Sequence, residues 1–246
     1  MNKEKLLRII FPEVCPVCGD VLTDKNRCKG NPYICKYCYS TLSFAKGRRC
    51  LKCAKSVDDE TKVICGECER KERFFDRGFA LLTHDEAAKK IIYGFKFDYN
   101  LDNLRFPALE AALRIGRVIN HLGVEAFIPV PLHKSRLRER GYNQAELLTE
   151  EIVRFMELLY GISPVCDSTY LIRKKKTKYQ RDLDHKYREE NVKNAFCVNP
   201  ESAGVYKRVC IVDDIYTTGS TINSCAKALK AAGCTNVYFF AVSTVG

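Results

Sequence analysis

The run Val209-Cys210-Ile211-Val212-Asp213-Asp214-Ile215-Tyr216-Thr217-Thr218-Gly219-Ser220-Thr221 carries the sharpest chemical signal in this chain. An apolar stretch ends in two carboxylates, and a short turn of hydroxyls and one glycine then opens a helical pattern. Successive backbone N–H groups at a helix N-terminus, with a dipole equivalent to about half a positive charge, make an anion site. Gly219 lets the backbone approach a phosphate closely. The hydroxyls of Thr217, Thr218, Ser220 and Thr221 add donors. Asp213 and Asp214 stand about one phosphate-to-sugar distance away, where they can accept hydrogen bonds from vicinal ribose hydroxyls. Two carboxylates would repel a phosphate unless a sugar or a metal lay between them. No glycine-rich turn followed by Gly-Lys-Thr/Ser is present, so a Walker loop and nucleoside triphosphate hydrolysis are not expected.

The second chemistry is thiolate. Four Cys-x-x-Cys pairs follow one another: Cys15/Cys18, Cys35/Cys38, Cys50/Cys53 and Cys65/Cys68. Each pair spans one tight turn, so both sulfurs can reach one zinc ion at about 2.3 Å. Gly19 and Gly66 sit where such turns relax steric limits. Closed four-thiolate sites leave no coordination position for a substrate, so the expected role is structural, with two zinc ions. The spacing leaves the pairing open between two tandem ribbons and an interleaved arrangement. Cys28 reads as a spare thiol, although it could replace a ligand.

A phosphate turn holds one end of a ligand, and the other end needs positive charge. Two segments offer it: His133-Lys134-Ser135-Arg136-Leu137-Arg138-Glu139-Arg140-Gly141-Tyr142-Asn143-Gln144, and the charged stretch from Arg173 to Val192. The second contains Lys174 to Lys178, Thr177, Gln180, Arg188 and Asn191, fits neither helical nor strand period, and reads as a mobile loop.

These groups must be positioned by a sheet. Phe79–Leu82, Ala126–Val130, Val209–Val212 and Val237–Val242 read as strands, the third buried on both faces. Leu104–Leu122 has helical periodicity, with Leu109, Leu113, Ile115, Val118 and Ile119 near one face. Asn143–Leu159 is a second amphipathic helix, and Ser220–Ala232 a third, closed by Gly233. Alternating strands and helices predict a parallel α/β sheet.

Composition sets the outer bounds. Of 14 cysteines, nine fall between Cys15 and Cys68, a stretch too poor in long apolar runs to fold unaided. The sequence pattern changes after Arg73-Phe74-Phe75-Asp76, and the chain is divided into a zinc-binding module (1–72) and a sheet domain (73–246). The abundant thiols without an export signal point to a reducing, cytoplasmic setting. The apolar stretch within Met1–Cys15 is broken by Arg8 and stopped by Pro12, and reads as a short helix rather than a signal peptide. No run approaches the roughly 18 apolar residues of a membrane helix, so no membrane insertion is expected. The formal charge of +11 falls to roughly +7 once each zinc–tetrathiolate site is counted at −2. That balance suits phosphate-bearing partners.

The Asp213–Thr221 run resembles the phosphoribosyl-diphosphate (PRPP) signature of type I phosphoribosyltransferases. The cysteine pairs, Pro129-Val130-Pro131-Leu132-His133, Arg138-Glu139-Arg140-Gly141-Tyr142-Asn143-Gln144, Thr177, Gln180, Arg188 and Asn191 are, with it and in this order, similar to the ComF (ComFC) family of competence-associated proteins. The sheet domain also resembles glutamine amidophosphoribosyltransferase, without the nucleophilic cysteine which that enzyme carries at its second position.

The ComF resemblance implies an α/β type I phosphoribosyltransferase fold, a parallel sheet flanked by helices with a hood over the site, preceded by a double zinc ribbon. It implies PRPP with Mg²⁺ as ligand, Asp213 and Asp214 on the ribose, and Thr217–Thr221 on the 5′-phosphate. Arg136, Arg138, Arg140, Lys174 to Lys178 and Arg188 become candidates for pyrophosphate or a nucleic-acid strand, and Lys96 stands where the family usually has a lysine. Two functions are implied: displacement of pyrophosphate from PRPP by a nitrogen acceptor, or the handling of incoming single-stranded DNA beside a ComFA-type helicase. In the latter, Tyr37, Tyr142, Tyr179 and Tyr187 could stack on bases.

Overall fold

Four consecutive apolar residues can form a strand only if both of its faces are covered. Val209, Cys210, Ile211 and Val212 meet that condition, each with no exposed surface. The computed structural model describes residues 12–97, 100–174 and 194–245. Its first half contains α1 (Lys36–Thr41), α2 (Gly66–Arg70), β1 (Arg77–Thr83), α3 (Glu86–Phe97), α4 (Arg105–His121), β2 (Ala126–Pro129) and α5 (Lys134–Arg140). α6 (Gln144–Tyr160), β3 (Val165–Cys166), β4 (Leu171–Arg173), β5 (Phe196–Val198), β6 (Arg208–Tyr216), α7 (Ser220–Ala231) and β7 (Asn236–Thr244) follow.

The main sheet has five strands in the order β1-β7-β6-β2-β3, all pairs parallel. Side chains alternate across β6 and β7, so each strand feeds two cores. Cys210, Val212, Tyr238, Phe240 and Val242 pack with α3, α4 and α6. Val209, Ile211, Val237, Phe239 and Ala241 pack on the other face with α7 and residues of the small antiparallel β4–β5 sheet. This is the expected helix-flanked parallel sheet.

Two details differ from the sequence reading. The central strand does not stop before the acidic pair: Asp213 pairs with Ala241 and Tyr216 with Thr244, so both carboxylates lie within β6. Leu113 is 41% exposed and lies off the buried face of α4, which uses Ala108, Ala111, Ala112, Ile115 and Ile119. Three alanines let α4 approach its neighbours closely, and they carried the helix's true apolar stripe.

The cysteine-rich segment straddles the β1 edge of the sheet. Cys15, Leu22, Ile34, Cys35, Cys38 and Leu42 join the first core, whereas Cys50, Cys53, Val57 and Cys68 join the second. The connection between them closes the edge itself. Phe44 bridges Leu82 in antiparallel sense, with Ala45 N–H donating to Leu81 O and Thr83 N–H to Ser43 O, each at 2.8 Å. An edge strand covered in this way cannot template pairing with another chain.

On the first face the clasp is polar. Asn31, fully buried, donates to Phe106 O at 3.1 Å and to Glu110 Oε1 at 3.2 Å. The buried Glu110 carboxylate is also paired with Arg114 at 2.8 Å. We propose the boundary between the two modules at residues 72/73. Of the expected short helix within Met1–Cys15, residues 1–11 lie outside the described residues; of the expected loop from Arg173 to Val192, Arg173 instead ends β4 and residues 175–192 lie outside the described residues. No helix among the described residues is long and apolar enough to cross a membrane.

Candidate zinc centres and anion site

The eight paired cysteines gather as Cys15, Cys18, Cys35 and Cys38, and as Cys50, Cys53, Cys65 and Cys68, with all four sulfurs of each group within 4.8 Å of one another. Tandem pairing is therefore the one adopted. A tetrahedron of roughly 2.3 Å Zn–S bonds has S–S edges of roughly 3.8 Å, close to Cys18–Cys35 at 3.9 Å and Cys53–Cys65 at 3.5 Å.

Each group is built from one knuckle and one helix start. In the knuckles, the residue after the second cysteine takes positive φ: Gly19 at 80° and Ala54 at 62°. At the helix starts, Cys35 and Cys65 are the N-caps of α1 and α2. Gly66 is thus the first residue of a helix, not a left-handed turn position, and the strained position in that ribbon belongs to Ala54. Cys28 lies in neither group and packs on the first core, as a spare thiol would. The two groups fit structural zinc.

The anion turn lies where the sheet's order reverses. β2 continues outward to β3 and β6 outward to β7, so their adjacent C-terminal ends form the switch point at which open α/β sheets hold ligands. A cavity of about 440 Å³ opens there. Asp213, Asp214, Thr217, Thr218, Gly219, Ser220, Thr221, Arg136 and Arg140 line it, together with His84, Tyr93, Lys96, Phe97, Gln144 and Arg173.

Gly219 is the N-cap of α7 at φ 76°, with no side-chain cap. Thr218 and Ser220 hydroxyls bond each other at 2.6 Å. The segment leaving the second ribbon fixes the first turn of α7: Phe74 N–H donates to Asn223 Oδ1 at 2.8 Å, and Asn223 Nδ2 donates to Glu72 O at 3.1 Å. Asp214 pairs with Lys96 at 2.5 Å and accepts from Gln144 Nε2 at 3.4 Å. Burial, with the neighbouring Asp214 charge, pushes the Asp213 carboxyl up to about 7, against the pull of Lys96 and Arg173. His84 is held below its ordinary range by burial and by Lys89 and Lys96, with Nδ1 2.8 Å from Ser243 Oγ.

Periodicity explains which basic residues reach the cavity. Arg136 and Arg140 are four apart on α5 and share a face; Arg138 lies between them and does not line the cavity. β4 alternates, so Arg173 is buried toward the cavity while Lys174 is exposed and outside its lining. Arg188, Thr177, Gln180, Asn191, Tyr179 and Tyr187 lie outside the described residues. Tyr142 donates to Phe95 O at 2.7 Å, a packing role, and Tyr37 is exposed on α1.

Residues 6–69 match the double zinc ribbon domain model. Over 215 residues the chain is 33% identical to competence protein F of Haemophilus influenzae, covering 81% of this chain and 91% of the relative. The chain belongs to the competence protein F (ComF) family. Competence protein ComFC of Streptococcus pneumoniae is 26% identical over 215 residues, covering 85% of this chain and 86% of the relative. DNA utilization protein YhgH of Salmonella typhimurium is 25% identical over 222 residues, covering 84% and 94%.

Lining residues that were not read as site residues in the sequence include His84, Tyr93 and Phe97, and Arg173 was read only as the first residue of the charged stretch. His84 was legible only as a polar residue after a strand. Arg173 was hidden by the lysines that follow it. Tyr93 and Phe97 lie on α3, whose apolar pattern was not assigned to any element.

Proposed function

We propose that this protein binds PRPP at the β2–β6 switch point and acts in natural competence, on incoming single-stranded DNA in the cytoplasm. One observation carries the PRPP reading: the Asp213–Asp214 pair and the uncapped glycine turn of α7 line one cavity. In this reading the Thr217–Thr221 amides and hydroxyls take the 5′-phosphate, and the carboxylates accept from the ribose hydroxyls. Lys96, Arg136, Arg140 and Arg173 supply charge for the pyrophosphate. Mg²⁺, carried on PRPP oxygens, would neutralise part of that charge. A DNA strand lacks the 2′-hydroxyl and has an esterified 3′-oxygen, so it fits the acidic pair poorly. DNA would then be held elsewhere, and a ComFA-type helicase is the partner that the family suggests.

The competence role rests on the names of the relatives. It is tested by deleting the gene and restoring it as wild type or as Asp213→Asn, and scoring transformants. The PRPP reading is tested by calorimetric titration of the zinc-loaded protein with PRPP and Mg²⁺. Saturable binding that is lost in Asp213→Asn and Asp214→Asn supports it; the same affinity in all three proteins would end it.

A second reading is favoured by the grouping of Lys96, Arg136, Arg140 and Arg173 around one cavity. They could stabilise departing pyrophosphate. A nitrogen nucleophile would form a bond to C1′ while the C1′–O bond breaks, its electron pair leaving with pyrophosphate. Pyrophosphate release on addition of an acceptor tests this turnover.

A further inference from the structure

The segment that leaves the second zinc-ligand group is fastened to the anion turn at two points. At the first, the Asn223 side chain accepts from Phe74 N–H at 2.8 Å and donates to Glu72 O at 3.1 Å. Asn223 stands in the first turn of α7, and its own N–H donates to Gly219 O at 2.8 Å. The Phe74 ring holds the same helix one turn further on, where the Lys227 ammonium lies 5.3 Å from its centroid. At the second point, Phe75 meets the Tyr216 ring edge-on at 6.2 Å. The Tyr216 hydroxyl lies where a Cβ on Gly219 would point. The height and direction of the N–H groups that open α7 are therefore set by residues 72–75.

The same segment is tied to the thiolates. Cys50, Cys53, Cys68, Phe75, Tyr216 and Ile222 share one buried cluster. Glu67, between Cys65 and Cys68 on α2, pairs with Lys55 at 3.0 Å and with Arg73 at 3.7 Å. The Arg73 side chain is only 2% exposed, yet its Nε and Nη2 have no hydrogen-bond partner among the described residues. A buried guanidinium in that condition needs negative charge beside it. Zinc on the four thiolates of this group would leave a net charge of roughly −2 there. Donors in the outer shell of a metal site orient its ligands. Burial pushes the Tyr216 hydroxyl up, and the charges acting on it are those of Arg73, Cys53, Cys68 and Glu67. The thiolates and the ring beneath Gly219 thus feel one another's surroundings.

We infer that Arg73 and Asn223 are positioning residues through which the second zinc site presets the turn that takes the 5′-phosphate. The inference rests on the ribose-phosphate reading of the Asp213–Thr221 site and adds to it what holds that turn ready. The first ligand group is fastened instead to α4, on the opposite face of the sheet, through Asn31. The coupling therefore belongs to one of the two ions. Coupled sites change each other's affinity by the same factor, so whatever the second zinc adds to phosphate binding, the ligand adds to zinc retention.

The test uses full-length protein carrying two zinc ions, with PRPP and Mg²⁺ as the probe. Calorimetry should show the dissociation constant rising roughly fivefold or more in Asn223→Ala and in Arg73→Met. The zinc held by the protein is then measured at equilibrium against a chromophoric chelator, with and without the probe. In wild type the probe should tighten one equivalent by roughly fivefold or more and leave the other unchanged. In Asn223→Ala the probe should tighten neither. A variant that merely weakened the fold would keep the protection of one equivalent. Equal PRPP affinity in wild type and both variants overturns the inference and leaves the phosphate site standing. Protection of both equivalents alike, or of neither, by a probe that wild type binds also overturns it. No binding of the probe by wild type removes the phosphate site and the inference together.

Discussion

Alanine at Gly219 places a single methyl group at the tightest point of the anion turn. The residue has φ +76°, and left-handed backbone costs an L-residue about 1–2 kcal/mol. Its Cβ would lie 2.3 Å from Tyr216 Oη and 2.6 Å from Tyr216 Cζ. The tyrosine has little room to yield. Its ring is stacked on Phe239 at 4.8 Å and 11°, meets Phe75 edge-on at 6.2 Å, and is 1% exposed. Overpacking of this kind costs about 1–3 kcal/mol, so the substitution is expected to destabilise the protein by about 2–5 kcal/mol in all.

Urea denaturation of the zinc-loaded protein, followed by circular dichroism, should show a lower midpoint with an unchanged slope. Tyr216→Phe is the informative partner. The buried Tyr216 hydroxyl has no hydrogen-bond partner among the described residues. Its removal alone is therefore expected to be neutral or stabilising by up to about 1 kcal/mol. Combined with Gly219→Ala, it relieves the closest contact and should give a favourable coupling of about 0.5–2 kcal/mol. A Gly219→Ala cost below about 0.5 kcal/mol, far under the range set by backbone and packing together, would refute the reasoning.

Asn31→Ala removes two donors that hold the first ribbon on α4 and leaves Glu110 under-satisfied; a loss of about 1–3 kcal/mol is expected by denaturant titration. Cys28→Ser should retain two zinc ions per chain by elemental analysis, whereas Cys53→Ser should lose the second site and melt well below wild type. Burial and the Asp214 charge push the Asp213 carboxyl up to about 7 in the folded chain, above its ordinary 3.8. The folded chain then holds the extra proton between those values, so this group's contribution to stability falls as pH rises across that window and is level above it. PRPP affinity should move the opposite way, rising with pH through neutrality as the carboxylate becomes available to ribose. Asp213→Asn should flatten the stability profile, and an unchanged stability profile in that variant would contradict the assignment.

Much of the sheet was legible because its signals are local. Val209–Val212 can be satisfied only by a doubly covered strand, and Gly233 follows α7 with positive φ as a helix stop does. The zinc ligands were legible because pairs at fixed spacing recur four times. What stayed hidden depends on neighbours distant in sequence. The pairing of the cysteines is decided by which knuckle meets which helix start. The basic residues were named segment by segment, so Arg138 and Lys174 stood beside Arg136 and Arg140, whereas helix and strand periods separate Arg136, Arg140 and Arg173, which line the cavity, from the other two. The asparagine clasp at Asn31 and the Tyr216–Gly219 contact have no sequence signature, since each is defined by a partner's position in three dimensions.

The central claim, that the β6–α7 turn holds a 5′-phosphate while the acidic pair holds its ribose, is tested most directly by a crystal structure of the zinc-loaded protein grown with PRPP and Mg²⁺. The account predicts the 5′-phosphate within hydrogen-bond reach of the Thr217–Thr221 amides and the ribose hydroxyls on Asp213 and Asp214. PRPP seated elsewhere, or the turn left empty at saturating ligand, would contradict it.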